Sequence, residues 1–487
     1  MNDCTQPPTA MHAPASPVAR RLRRAAVPAL LLIGLGYGIA ALVGLPLFGD
    51  GGHYFVMVAM DGAPLISQGR VGAALLQVPA LLAWRLTDDL LLLRHAFAFG
   101  YVLIPWLSLC ACWWLVRARA PWLLLFALLS LLALQINFSA VSELLASLAL
   151  AWPLALALWC HPDRDGTWAY GLVLAPLLVL LHPLGFLVAW VLALSALAVA
   201  YRGSAHRALR WLAAWFGLAG LVRLGWTLVG STSYERGRLQ PESATHYLLP
   251  DSSAQLALLA LVALLGLLLM LGLWRARSPA VRRWLAPVLL GLGWFLPLLA
   301  LLIGAEFLVG TGVKLKAALS VVLGLGLLVL ASLACWLEPG PTWAAPGVPP
   351  AMAVRGALPA RALTGLIAAV SAAILILVLA RAGAWWTATR ALINLTIDTE
   401  ATCLRYAANT PYGLQWPWMV IIDDWVVPLN ALVFRADPAL GPIALLVGGD
   451  GCEGIAATGM VHFNSWLARP FADLDARFGP LRHPPGP

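Results

Sequence analysis

Charged side chains make up only 11% of this 487-residue chain. Each one beside an apolar run therefore carries information. The richest stretch is residues 44–89, GLPLFGDGGHYFVMVAMDGAPLISQGRVGAALLQVPALLAWRLTDD. Asp50 stands directly after the first apolar run, among Gly49, Gly51 and Gly52, where bare backbone lets a ligand approach closely. Its carboxylate reads either as a general base or as a solvated turn acid. His53 and Tyr54 follow. Asp61, in a Met-Asp-Gly-Ala-Pro turn, reads as a structural support, and Asp88-Asp89 as an N-cap pair for the next helix.

Other candidates stand at similar boundaries. Glu143 opens an apolar run after Ser139 and Ser142, either as capping chemistry or as a second acid facing the same vestibule as Asp50. His182, before Pro183, is either a satisfied hydrogen-bonding turn residue or a phosphate or sugar contact. Arg223 lies inside an apolar run and needs an acid or an anionic ligand as partner. Arg70, on an amphipathic stretch with Gln77 and Arg85, adds another cation. Arg236, Arg238, Lys314 and Lys316 read as lipid-phosphate ligands or as snorkelling anchors. Tyr54, Trp416, Trp418 and Trp425 are candidates for stacking on a sugar, although the interfacial belt explains most tryptophans. Neither HExxH, a paired CxxC, an EF-hand loop nor a phosphate-cradling GxxxxGK[ST] occurs. No cofactor is implied, and a divalent metal is left open.

These residues must be positioned by helices in a membrane. The chain is 61% hydrophobic, with a mean hydropathy of +0.84. A soluble domain carries roughly 25% charged residues. That comparison excludes a soluble enzyme, a nucleic-acid binder and a disordered scaffold. A helical span needs about 20 apolar residues. Such runs occur near 26–48, 92–116, 121–136, 141–160, 169–181, 184–201, 211–229, 254–274, 284–303, 317–337 and 362–384. The expected fold is therefore an all-α polytopic transmembrane protein of about eleven helices. Residues 169–201 form two short spans broken at His182-Pro183, because proline disfavours helix in the residue before it.

Arginines at 20–24, 117–119, 164, 202–210, 275–283 and 355–361 then fall on one side, the cytoplasmic one by the positive-inside rule. The expected organisation has four parts. They are a disordered cytoplasmic tail (1–25), a transmembrane domain (26–384) with a long first outer loop (49–89), an inner linker (338–361), and a periplasmic C-terminal domain (385–487) of mixed α/β character. In that outer loop, 65–86 reads as a helix lying in the interface plane. The C-terminal domain reads as a helical start over 385–408, a strand-like WPWMVIIDDWVV and an apolar IALLVGG. Cys403 and Cys452, alone in that outer, oxidising compartment, are expected to pair as a disulfide; two unrelated buried thiols are the alternative.

The layout resembles the GT-C superfamily of polytopic glycosyltransferases, which use polyprenyl-phosphate sugars. The points of resemblance are Asp50 in FGDGGHYF, the first outer loop with its helix (65–86), Glu143 in a second outer turn, His182-Pro183, and an outer C-terminal domain. The resemblance covers the architecture of residues 26–330. It implies a bacterial inner-membrane enzyme moving a sugar from a polyprenyl phosphate to a periplasmic glycan or lipid acceptor, with inversion and with Asp50 as base. The chemistry fits independently, because phosphate leaves without a general acid and needs only a base for the acceptor and cations for the leaving group. A transporter or flippase for a lipid-linked substrate, or a non-catalytic envelope-polymer assembly subunit, is the alternative.

Overall fold

The computed structural model describes residues 17–135, 142–202, 206–230, 317–337, 360–406, 427–435, 441–448, 451–463 and 467–483. The expected spans at 254–274 and 284–303 lie outside the described residues, as do the strand-like run before Val427 and the linker up to residue 359. So do Trp416, Trp418, Trp425, Arg236, Arg238, Lys314 and Lys316.

The described chain is predominantly helical. In order it forms α1 (Pro17–Leu42), α2 (Asp50–Asp61), α3 (Ala73–Leu86), α4 (Leu90–Val116), α5 (Leu124–Leu134) and α6 (Glu143–Cys160). Then come α7 (Asp165–Leu181), α8 (Gly185–Arg202), α9 (His206–Val229), α10 (Ala317–Leu337) and α11 (Ala360–Asp398). Five of these, α1, α4, α6, α9 and α11, are long and apolar enough to cross a membrane. The protein is thus a helical membrane protein. α6 is its axis: nearly every side chain is buried against α4, α7, α8 and α10. The peripheral helices instead turn large apolar groups outward, such as Leu31, Leu35, Val173, Leu194, Trp211 and Leu228. A water-facing surface avoids such contiguous apolar patches, and a lipid-facing one requires them.

Pro183 sets one key reversal. It holds His182 extended (φ −151°, ψ 146°) and ends α7. Leu172 and Val179 of α7 accept hydrogen bonds from Trp215 and Arg223 of α9, so the two helices run parallel. α8 returns antiparallel to α9, with Pro183 bonded to Thr227 and Trp190 against Gly220. The two short apolar helices therefore pass the bundle in opposite directions.

Several expectations need correction. The tail assigned to 1–25 is helical from Pro17, and α1 ends at Leu42, not near residue 48. The long loop at 49–89 is mostly helical. Its 65–86 segment does not lie across the bundle: a three-residue link joins α3 to α4, and Leu76 and Pro79 press on Gly100, eleven residues or fewer from each end of the turn. That contact makes α3 and α4 an antiparallel hairpin aligned with a spanning helix. The boundary at 384 falls inside α11, whose 39 residues extend about 58 Å at 1.5 Å per residue. The helical start expected over 385–408 is the end of that helix, and 403–406 is a strand.

Beyond α11 the chain forms β1 (Cys403–Tyr406), α12 (Val427–Val433), β2 (Leu445–Gly448), α13 (Gly451–Thr458), β3 (Met460–His462), β4 (Ala468–Pro470) and α14 (Phe471–Phe478). β1 pairs parallel with β2, and β3 antiparallel with β4. Cys403 and Cys452 form a disulfide, with Cα atoms 5.7 Å apart. This segment docks on α2 and the α3–α4 link. Arg469 bonds Asp61 at 2.8 Å, Arg477 pairs with Asp88 at 3.5 Å, and Trp385 of α11 donates to Gly44 O at 2.9 Å.

Candidate functional site at the base of α2

α2 begins because Gly49 can adopt φ 59°, a left-handed value that favours glycine, and so turn the chain into the helix. Asp50 is then the first helical residue, where the amide ends of the helix favour a carboxylate. It is exposed. It was read as a loop residue; in the structure it is held on a helix. Tyr54, four residues on, shares its face.

Tyr54 is buried and donates its hydroxyl to Glu143 Oε1 at 3.1 Å. Arg70 Nη1 donates to Glu143 Oε2 at 3.2 Å. Glu143 is 2% exposed and opens α6, while Ser142, the N-cap, accepts from Leu145 N. Both oxygens of Glu143 are thus engaged. Burial, and then the negative charges of Glu143 and Asp50, push the Tyr54 phenol above its ordinary value, so it stays a donor. Burial works against the charge of Arg70, but Glu143, Tyr54 and Asp50 more than offset it and hold the guanidinium above its usual value. Arg70 Nε has no hydrogen-bond partner among the described residues. Tyr54 therefore presents no face for sugar stacking: its ring is packed and its hydroxyl is committed to Glu143.

A neutral imidazole and a further cation stand close by. His182 lies in the field of Arg70 and Arg223; burial first, and then these two charges, push its imidazole well below its ordinary value. It is neutral, and since Nδ1 accepts from Leu184 N at 3.1 Å, the proton is assigned to Nε2. Arg223 is 2% exposed, donates to Val179 O at 3.0 Å and lies 5.2 Å from the ring centre of Trp226. Gly72 N donates to Leu180 O at 3.0 Å and stitches the Arg70 segment to the α7–α8 turn.

The structure therefore brings Asp50, Glu143, Arg70, His182 and Arg223 to one end of the bundle. His53 and Asp61 go elsewhere. Met57 and Asp61 continue the stripe of Asp50 and Tyr54 toward the C-terminal end of α2, where Arg469 contacts Met57 Sδ and Asp61. Burial, and then Arg469, push His53 down to about 4. Asp61 pairs with Arg469 of the C-terminal segment at 2.8 Å.

Sequence reasoning missed Tyr101, a polar-tipped aromatic in the middle of an apolar span. It lies in the field of Glu143 and Asp50, and its buried hydroxyl has no partner among the described residues. It lines a cavity of about 60 Å³ with Tyr37, Ser142 and Gln135. Gln135 Oε1 is also unpartnered there, which leaves room and polarity for a few waters. Among the described residues, no group of three or more His, Cys, Asp or Glu side chains is placed to hold a metal. Comparison with protein families, with characterised proteins and with solved structures gives no match for this chain.

Proposed function

We propose that the chain is a polyprenyl-phosphate-dependent glycosyltransferase of GT-C type, working at the Asp50 end of the bundle. On this reading that end faces the periplasm of a bacterial inner membrane. The observation that carries it is the division of labour between the two acids. Glu143 is buried and has both oxygens engaged by Tyr54 and Arg70, whereas Asp50 is exposed in the field of the same Arg70. One carboxylate positions and the other is accessible to a substrate hydroxyl.

In the proposed reaction Asp50 takes the proton of the acceptor hydroxyl. The acceptor oxygen bonds to the sugar C1 from the face opposite the lipid phosphate, and the C1–O bond to that phosphate breaks with inversion. On this reading Arg70, with Nε unspent, and the Nε2–H of His182 stabilise the charge on the departing phosphate. Arg223 reinforces that positive field.

The test uses the full chain in lipid nanodiscs with a panel of polyprenyl-phosphate pentoses and hexoses and an envelope extract as acceptor. Release of free polyprenyl phosphate from at least one donor supports the proposal. Movement of labelled lipid-linked sugar between leaflets of proteoliposomes, with no release, would support a flippase instead.

A further inference from the structure

The opposite end of the bundle carries a second constellation, independent of the Asp50 site. A cavity of about 520 Å³ opens between the ends of α4 and α6 and the start of α7. That volume falls within the range of small-molecule sites, about 300–1,000 Å³. Its wall is apolar: Leu107, Ala111, Leu115, Pro153 and Ala157 line it. Leu107 and Trp114 at its lip are 52% and 54% exposed, so it opens toward the side where lipid would lie.

Its far end is polar and positive. Arg164 lines the cavity, and Arg117 and Arg119 lie on the adjoining turn. α7, 17 residues long, starts at Asp165 with no side-chain cap on its first amides. Gly166, the second residue of α7, faces the cavity, and a Cβ there would meet nothing within 4 Å. Backbone amides at a helix start attract anions. A second, separate feature points to a ligand. His161 is 8% exposed and lines the same cavity; Nε2 bonds Leu115 O at 3.0 Å and so carries the proton. Nδ1 is left as a buried acceptor with no partner among the described residues. Asp163 and Asp165 are exposed and reduce the positive field without cancelling three arginines.

An apolar groove, a helix start with arginine beside it, and a buried acceptor describe one ligand chemistry: an acyl chain, a phosphate and a hydroxyl. We propose that this cavity binds one anionic phospholipid with a hydroxyl-bearing headgroup. The acyl chain runs along α4 and α6. The phosphate meets Arg164 and the α7 amides, and a headgroup hydroxyl donates to His161 Nδ1.

Native mass spectrometry of the full chain, delipidated and re-equilibrated with equal amounts of phosphatidylglycerol and phosphatidylcholine, tests this. The expected result is one retained phosphatidylglycerol, favoured over phosphatidylcholine. Removing one interfacial cation in Arg164→Gln should weaken that retention about fivefold. Gly166→Leu, which sets a bulky side chain at the α7 start without changing charge, should weaken it strongly. Equal retention of the two lipids, or retention unchanged in both variants, overturns the proposal.

Discussion

Arg70 and Glu143 form an ion pair at 3.2 Å between the segment before α3 and the first residue of α6, with Glu143 2% exposed. Seventy-three residues separate them in the chain. The pair fixes the base of α2 against the central helix. It also settles which acid is accessible, since the carboxylate bound by Arg70 and Tyr54 is not the one facing out.

Breaking such a pair on one side leaves a charge stranded. Arg70→Met should destabilise the protein by about 3 kcal/mol or more, and Arg70→Met with Glu143→Leu should recover much of that loss. Thermal unfolding of the single and double variants in one detergent checks this. Additive losses would mean that the two side chains do not act as a pair.

The contact between α2 and the C-terminal segment should weaken in acid. His53 has a pKa near 4 in the fold against 6.5 when exposed. A depressed folded value means that the stabilisation is complete above about pH 6.5 and is lost as pH falls from there through 4. Hydrogen exchange in residues 53–61 and 467–470 should speed up across that window. His53→Phe should flatten the response, and an unchanged profile in that variant would count against the assignment.

Two glycines should respond oppositely to alanine. At Gly100 a Cβ would strike the Leu76 carbonyl where α3 crosses α4, so Gly100→Ala should cost about 1–3 kcal/mol. At Gly38 in α1 a Cβ meets nothing within 4 Å, so Gly38→Ala should stabilise by about 0.5–1 kcal/mol. Melting temperatures of both variants decide it, and a neutral Gly100→Ala would contradict the hairpin crossing.

The Cys403–Cys452 link closes a loop of 49 residues in sequence. Chain entropy sets its contribution at about 4 kcal/mol. Non-reducing peptide mapping should recover these two linked and Cys110, Cys112, Cys160 and Cys335 as thiols. Alkylation of Cys403 and Cys452 without reductant would contradict the linkage.

The helices were legible wherever an apolar run had no competing signal. The break at His182-Pro183 is local chemistry and can be read directly. α2 was not legible: Gly51 and Gly52 each lower helix propensity by about 1 kcal/mol, and burial of Tyr54, Phe55, Val56 and Met57 overrides that. Once 50–61 is a helix, the alignment of Asp50, Tyr54, Met57 and Asp61 along one stripe follows from its period. The partners do not. Tyr54 meets Glu143 across 89 residues and Asp61 meets Arg469 across 408, and only the packed chain brings such distant residues together.

The proposed chemistry is tested most directly at Asp50. Glycosyl transfer from a polyprenyl-phosphate donor should be compared for wild type and Asp50→Asn in nanodiscs, with stable insertion verified for both. Asp50→Asn should lose at least about a hundredfold in rate, the contribution expected of a positioned base. A stably inserted Asp50→Asn protein that transfers sugar at the full rate would contradict it.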